Sequence, residues 1–89
     1  MITKTKICGI TTTEDYIACR DAGAAFVGMV HYPGSSRHLS LGTLSKLAAC
    51  SAVADPHAPE RVLLTVDVNV DGLSPLIEAG NPDMLQLHG

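Results

Sequence analysis

Four short apolar runs punctuate the chain, each ending in polar loop residues, and three of them lead into a stretch of helical spacing. The first is carried by Ile7 in "TKICG". The second, "AFVGMV" from Ala25 to Val30, is an almost unbroken apolar run, as expected of a strand covered on both faces. The third is "RVLLTVDV", Arg61 to Val68, rich in β-branched residues, and the fourth is "DMLQLH", Asp83 to His88. Strands of this kind separated by helices predict right-handed βαβ crossovers and a parallel sheet.

The intervening stretches carry helix signals. Thr11 followed by Glu14 predicts a capping box that opens a helix running to about Ala22, with Gly23 as its stop. A Pro/Gly/Ser-rich loop spans Pro33 to Ser36, and Ser40 then caps a helix whose Leu41, Leu44, Leu47 and Ala48 recur at helical spacing. Pro56 and Pro59 mark the next turn. Leu73, Leu76 and Ile77 predict a short third helix stopped by Gly80.

The expected fold class is therefore α/β, a parallel βαβαβαβ unit. Each unit takes roughly 20 to 30 residues, close to the repeat of a (β/α)8 barrel, and a complete barrel takes 200 residues or more. The 89 residues are expected to form a single partial barrel domain, 1–89, holding strands one to four: the amino-terminal half of a (β/α)8, or TIM, barrel.

Composition narrows the function classes. Hydrophobic residues are 46% and charged residues 17%, too apolar for disorder. A formal charge of −3 with 3% aromatic residues gives neither the basic patch nor the stacking platform of a nucleic-acid binder. No segment approaches the 18 to 20 or so apolar residues that span a bilayer. The start, "MITKTKICG", lacks a signal-peptide core, so a cytoplasmic location and no membrane partner are expected. Cys8, Cys19 and Cys50 are odd in number and widely spaced, and His31, His38, His57 and His88 are dispersed. Neither a disulfide framework nor a metal site is expected.

Chemistry-bearing residues gather where the strands end: Cys8 after the first, His31 and Arg37 after the second, Asp67 and Asn69 after the third, His88 on the fourth. In a parallel α/β sheet those ends share one side, where active sites assemble. Singly, each has an ordinary reading. Cysteine is mostly a buried packing residue, Arg37 a solvated loop charge, His88 a strand-end residue, and Asp67 a turn residue. Gln86, two residues before His88, shares its strand face and suits a polar position in a barrel interior. Cys19 and Cys50 fall in helical patterns and are expected to pack. His38 and His57 read as solvated loop residues, and His31 as a strand-end residue open to a substrate contact.

"KICGIT", "AGAAFVGMVHYPGSSRHLS" and the closing "LQLHG" resemble, in order and spacing, three early motifs of phosphoribosylanthranilate isomerase, an enzyme family of tryptophan biosynthesis. The resemblance extends over essentially the whole chain. The family commonly has Ser-Pro-Arg where Ser35-Ser36-Arg37 stands, an aromatic residue at His31, and Val-Phe-Val-Asn for "TVDVN".

The resemblance implies an Amadori rearrangement of N-(5′-phosphoribosyl)anthranilate to 1-(2-carboxyphenylamino)-1-deoxy-D-ribulose 5-phosphate, without metal or organic cofactor. It implies Cys8 as general base, Arg37 as the holder of the anthranilate carboxylate, and His88 as a substrate-binding residue of the pocket floor. The family's general acid is an aspartate after the fifth strand, and its phosphate is gripped after the seventh and eighth. Asp67 lies on the wrong strand for the acid's role. The 89 residues alone are thus expected to be inactive or nearly so. Two rival readings stand beside this one. In the first, a half-barrel assembly module self-associates or pairs with a carboxy-terminal half. In the second, a small redox or metal protein uses Cys8 and His88.

Overall fold

The computed structural model describes residues 5–66 and 68–88. The elements follow in order: β1 (Lys6–Cys8), α1 (Thr13–Asp21), β2 (Phe26–His31), α2 (Leu41–Ala48), a 3-10 turn (Ser51–Ala54), β3 (Glu60–Val66), α3 (Val70–Gly80) and β4 (Met84–His88). All strand pairs are parallel, in the spatial order β1-β2-β3-β4. This is the βαβαβαβ unit that the alternation predicts.

Each strand side has its own fate. Val27, Met29, Leu63 and Thr65 are buried beneath the helices, with Tyr16, Cys19, Leu44, Leu47 and Leu76 packed onto them. Each such large apolar side chain contributes on the order of 1.5–3 kcal/mol. On the opposite side, Cys8, Gly28, Val62 and Met84 pair in one cross-strand row. On the helix-facing side of β4, Leu85 and Leu87 are 42% and 59% exposed. Nothing among the described residues covers them as α1 to α3 cover β2 and β3.

Two helix boundaries differ from the sequence expectation. The amino-terminal cap of α1 is Thr12, whose hydroxyl accepts from the Asp15 N–H at 3.0 Å, so the Thr11/Glu14 box is displaced by one residue. Asp15 Oδ2 in turn accepts from the N–H of Thr11, the residue before the cap, at 3.2 Å. Ala22 and Gly23 (φ +80°) close α1 as expected. At the end of α3 the left-handed residue is Asn81 (φ 40°), and Gly80 is the last helical residue. Asparagine is the usual second choice for that conformation. Gly80 is buried against Leu44 and Met29, where a Cβ would stand in ordinary van der Waals contact, 3.6 Å from Leu44 Cδ2.

The amino-terminal ends of the strands are locked by structural bonds. The Tyr16 hydroxyl donates to the Pro59 carbonyl at 2.9 Å, and buried Arg61 donates from Nη1 to the Gly80 carbonyl at 2.6 Å. Asp83 Oδ2 accepts from the Arg61 N–H at 2.7 Å. Stability features therefore sit at one end of the sheet, and the carboxyl ends are left for other work.

Candidate active site

β1 ends at Cys8 because Gly9 turns the chain away with φ +79°, a conformation that penalises any side chain. The Gly9 and Ile10 N–H groups both donate to the Gly28 carbonyl, at 3.0 and 3.2 Å, and this fixes the turn against β2. Gly28 lies beside Cys8 in the sheet, and a Cβ at Gly28 would stand 3.2 Å from Cys8 Cα and 3.6 Å from its Sγ. The absent side chain leaves room for the thiol, which is exposed.

The loop after β2 folds back on itself. Leu39 N–H donates to the Val30 carbonyl at 2.7 Å, His38 N–H to Ser35, and Ser35 N–H to Tyr32. Ser35 Oγ accepts from the Arg37 N–H at 3.1 Å. Arg37 is thereby delivered to the end of β1, where its Nη1 donates to the Cys8 carbonyl at 3.1 Å. Its stem crosses Gly9 so closely that a Cβ there would lie 2.3 Å from Arg37 Cδ. A guanidinium carries five donors in a planar fork suited to carboxylates, and this contact uses one.

A cleft of about 580 Å³ runs from Cys8, Gly9 and Arg37 toward Asp15 and Cys19 on α1. A second hollow, about 330 Å³, is lined by Lys6, Phe26, Val62, Met84, Leu85 and Gln86, most of them on the sheet face that carries Cys8, although Cys8 itself does not line it. The thiol row with Gly28 belongs to the second face. That hollow is the better candidate for the floor of a site, although it is the smaller of the two.

His31 does not join the site. Strand alternation puts it on the helix-facing side, where its Nδ1 lies 2.8 Å from the Leu39 carbonyl and its ring 4.6 Å from that of His38. His38 is half-buried, so the expectation of a solvated residue fails there, whereas His57 is exposed. Asn69 is also structural: it caps α3, its Oδ1 accepting from the Gly72 N–H at 2.8 Å. Asp67 lies outside the described residues. His88 closes β4 opposite Val66, and its backbone position alone is described.

The other two cysteines pack. Cys19 is buried, and burial first, then the charge of Asp15, pushes its thiol up from the ordinary value. Cys50 packs against the core. Among the described residues, no three His, Cys, Asp or Glu side chains converge as a metal ligand set.

One residue in the site escaped the sequence reading. Lys6, two positions before Cys8 on the same strand face, donates from Nζ to Gln86 Oε1 at 2.7 Å. The available signal was the i, i+2 spacing from Cys8. Its partner, 80 residues away, carries no local signature.

No protein-family model matches the chain. Curated relatives do. It is 44% identical over 86 residues to the N-(5′-phosphoribosyl)anthranilate isomerase of Cereibacter sphaeroides, an alignment covering 97% of this chain and 39% of that protein. Among solved structures, it superposes on crystallographic monomers of dimeric phosphoribosylanthranilate isomerase from Thermotoga maritima with a TM-score of 0.83 and 32% identity. That match covers 99% of this chain and 42% of the other. A phosphoribosylanthranilate isomerase in complex with reduced 1-(o-carboxyphenylamino)-1-deoxyribulose 5-phosphate matches equally well, with a TM-score of 0.83 and 31% identity over 99% and 43% of the two chains. The chain thus spans about two fifths of the length of the relatives it matches.

Proposed function

We propose that this chain, which corresponds in sequence and fold to the amino-terminal half of a phosphoribosylanthranilate isomerase barrel, supplies the base-bearing half of that enzyme's site. The observation that carries this reading is the junction of Cys8 and Arg37 across Gly9 at the carboxyl end of β1.

In the proposed reaction, protonation of the furanose ring oxygen opens N-(5′-phosphoribosyl)anthranilate to an iminium. Cys8, as thiolate, removes the C2′ proton. The electron pair left by that C–H bond neutralises the iminium and gives an enolamine, which tautomerises to the ketone of 1-(2-carboxyphenylamino)-1-deoxy-D-ribulose 5-phosphate. Arg37 holds the anthranilate carboxylate by a bidentate pair, which orients C2′ toward the thiol. His88, at the end of β4, takes the family's substrate-binding role in this reading. Residues 1–89 act as one partial barrel domain in the cytoplasm, on a small phosphorylated substrate, and need no cofactor.

The family's general acid and phosphate grip belong to strands five, seven and eight, beyond the segment matched here. Loss of one acid–base partner costs about 10²- to 10⁴-fold in rate, and the missing phosphate grip removes binding energy that would stabilise the transition state. The 89 residues alone are therefore proposed to be inactive or nearly so. Assaying phosphoribosylanthranilate turnover with the purified chain tests this, and a rate near that of a full-length relative refutes it.

Exposed apolar residues favour a second reading as an assembly module. Ile7 on β1 and Met84, Leu85 and Leu87 on β4 are all at least 37% exposed, on the two strands that bound the described sheet. Pairing with a carboxy-terminal half would cover them. Sedimentation of the chain alone as a dispersed monomer at micromolar concentration counts against pairing with itself.

A further inference from the structure

Lys6 and Gln86 belong to β1 and β4, which β2 and β3 separate in the sheet. Their side chains nevertheless meet, Lys6 Nζ donating to Gln86 Oε1 at 2.7 Å. Both lie on the side where Cys8, Gly28, Val62 and Met84 form a cross-strand row, so the sheet curls toward that side as barrel strands do.

The hollow of about 330 Å³ beside this bond is walled by Phe26, Val62 and Met84, the apolar kind of residue that ordinarily fills a barrel interior. Its charge is one-sided. Lys6 alone among its lining residues is charged, and no carboxylate among the described residues pairs with it. An ammonium carries three donors, and Gln86 is the one hydrogen-bond partner of Lys6 among the described residues. Here that costs little, because Lys6 is exposed.

Closure of a barrel changes this. The interior is a packed core and not a pore, so further strands would cover the hollow and take Lys6 out of water. An ammonium covered in this way and held by one neutral amide carries a large desolvation penalty, which an opposite charge offsets.

We infer that this hollow is a docking surface for the carboxy-terminal half of the barrel, and that this half presents an inward carboxylate, from an Asp or Glu, to Lys6. The inference rests on the reading of the chain as an amino-terminal half-barrel and names the chemistry of its partner's contact. Charge complementarity selects the occupant. A second copy of this chain would bring another Lys6 into the same interior, whereas an acidic side chain completes the one that is there.

Association of the purified chain with the separately expressed carboxy-terminal portion of the Cereibacter sphaeroides isomerase is measured by sedimentation, without substrate, so the result does not depend on Cys8. Lys6→Met is expected to weaken binding about 100-fold or more, because the partner's carboxylate is then buried without its cation. Gln86→Leu breaks the same bond but keeps the charge, and is expected to cost about ten-fold or less. In double-mutant cycles, one Asp→Asn or Glu→Gln substitution in the partner is expected to cost far less with Lys6→Met than with the wild-type chain. Binding that is unchanged or tighter with Lys6→Met overturns the inference, since removing an unpaired ammonium would relieve a burden. Equal losses for Lys6→Met and Gln86→Leu, the absence of any coupled acid, or a wild-type chain that does not bind at all overturn it as well. Turnover by a mixture in which Lys6→Met binds normally removes this contact and leaves the isomerase reading standing.

Discussion

The Arg37 guanidinium and the Cys8 carbonyl are joined by a 3.1 Å hydrogen bond that crosses Gly9, so the loop after β2 is docked onto the residue that ends β1. Two crossovers separated in sequence thus share one corner of the sheet. The corner depends on the Ser35 and Leu39 bonds that fold the loop and on the missing side chain at position 9.

The first prediction concerns that missing side chain. Gly9→Ala places a methyl group 2.3 Å from Arg37 Cδ, in a backbone conformation with φ +79°. The left-handed conformation alone costs about 1–2 kcal/mol for a residue with a Cβ. Denaturant unfolding is expected to register a loss of that order. The Arg37→Ala variant removes the contact without straining the turn and should cost well under 1 kcal/mol of stability, as exposed contacts do.

Gly28 guards the thiol from the neighbouring strand. A Cβ there meets Cys8 Cα at 3.2 Å, a backbone atom that cannot swing aside. Gly28→Val is expected to displace β1 and cost about 1–3 kcal/mol, the range for overpacking. Amide exchange should show the loss concentrated in Ile7, Cys8 and Gly9. Uniform loss across the sheet, or none, counts against this picture of the strand end.

The three thiols should react in the order of their exposure. Cys8 is exposed, Cys50 half-buried and Cys19 buried, with burial pushing the Cys19 thiol up. Alkylation of the folded chain at pH 8 is expected to mark Cys8 first and Cys19 only on unfolding. Equal labelling of Cys8 and Cys19 under native conditions contradicts the described packing.

Acid should loosen the start of α1. The Thr11 backbone N–H, helped by the Thr11 and Thr12 contacts and opposed by desolvation, holds the Asp15 carboxyl below its ordinary 3.8. A lowered folded-state value means stability that is present above 3.8 and lost as pH falls through the lower value. Asp15→Ala is expected to melt below the wild type at pH 7, with the difference shrinking as pH falls below 3.8. Thr12→Ala removes the cap itself and should cost about 1 kcal/mol at either pH. A wild-type advantage over Asp15→Ala that does not shrink as pH falls below 3.8 contradicts the assignment.

Much of this architecture was legible because parallel strands buried on both faces read as continuous apolar runs, as Val27 to Val30 and Val62 to Leu64 do. Ser40 was legible as a cap for the same local reason: its hydroxyl accepts from the Thr43 N–H, three residues on. Boundaries slipped where two residues competed for one role. Thr11 and Thr12 both suit a cap, and Gly80 and Asn81 both suit a helix stop. His31 is the strand-end residue expected, but which face it takes was not legible, because one residue of strand length decides that: it is the last residue of β2 and bonds at Leu39. Lys6 was invisible in its role because tertiary curvature, which no local pattern encodes, brings it to Gln86.

The central claim is that Cys8 is the base of a phosphoribosylanthranilate isomerase site whose other half lies beyond the matched segment. The most direct measurement pairs the purified chain with the separately expressed carboxy-terminal portion of the Cereibacter sphaeroides isomerase, and follows phosphoribosylanthranilate turnover. The mixture should be active where neither part alone is, and Cys8→Ala should lower that activity about 10²-fold or more. A mixture whose turnover is the same with Cys8→Ala as with the wild-type chain would contradict the claim.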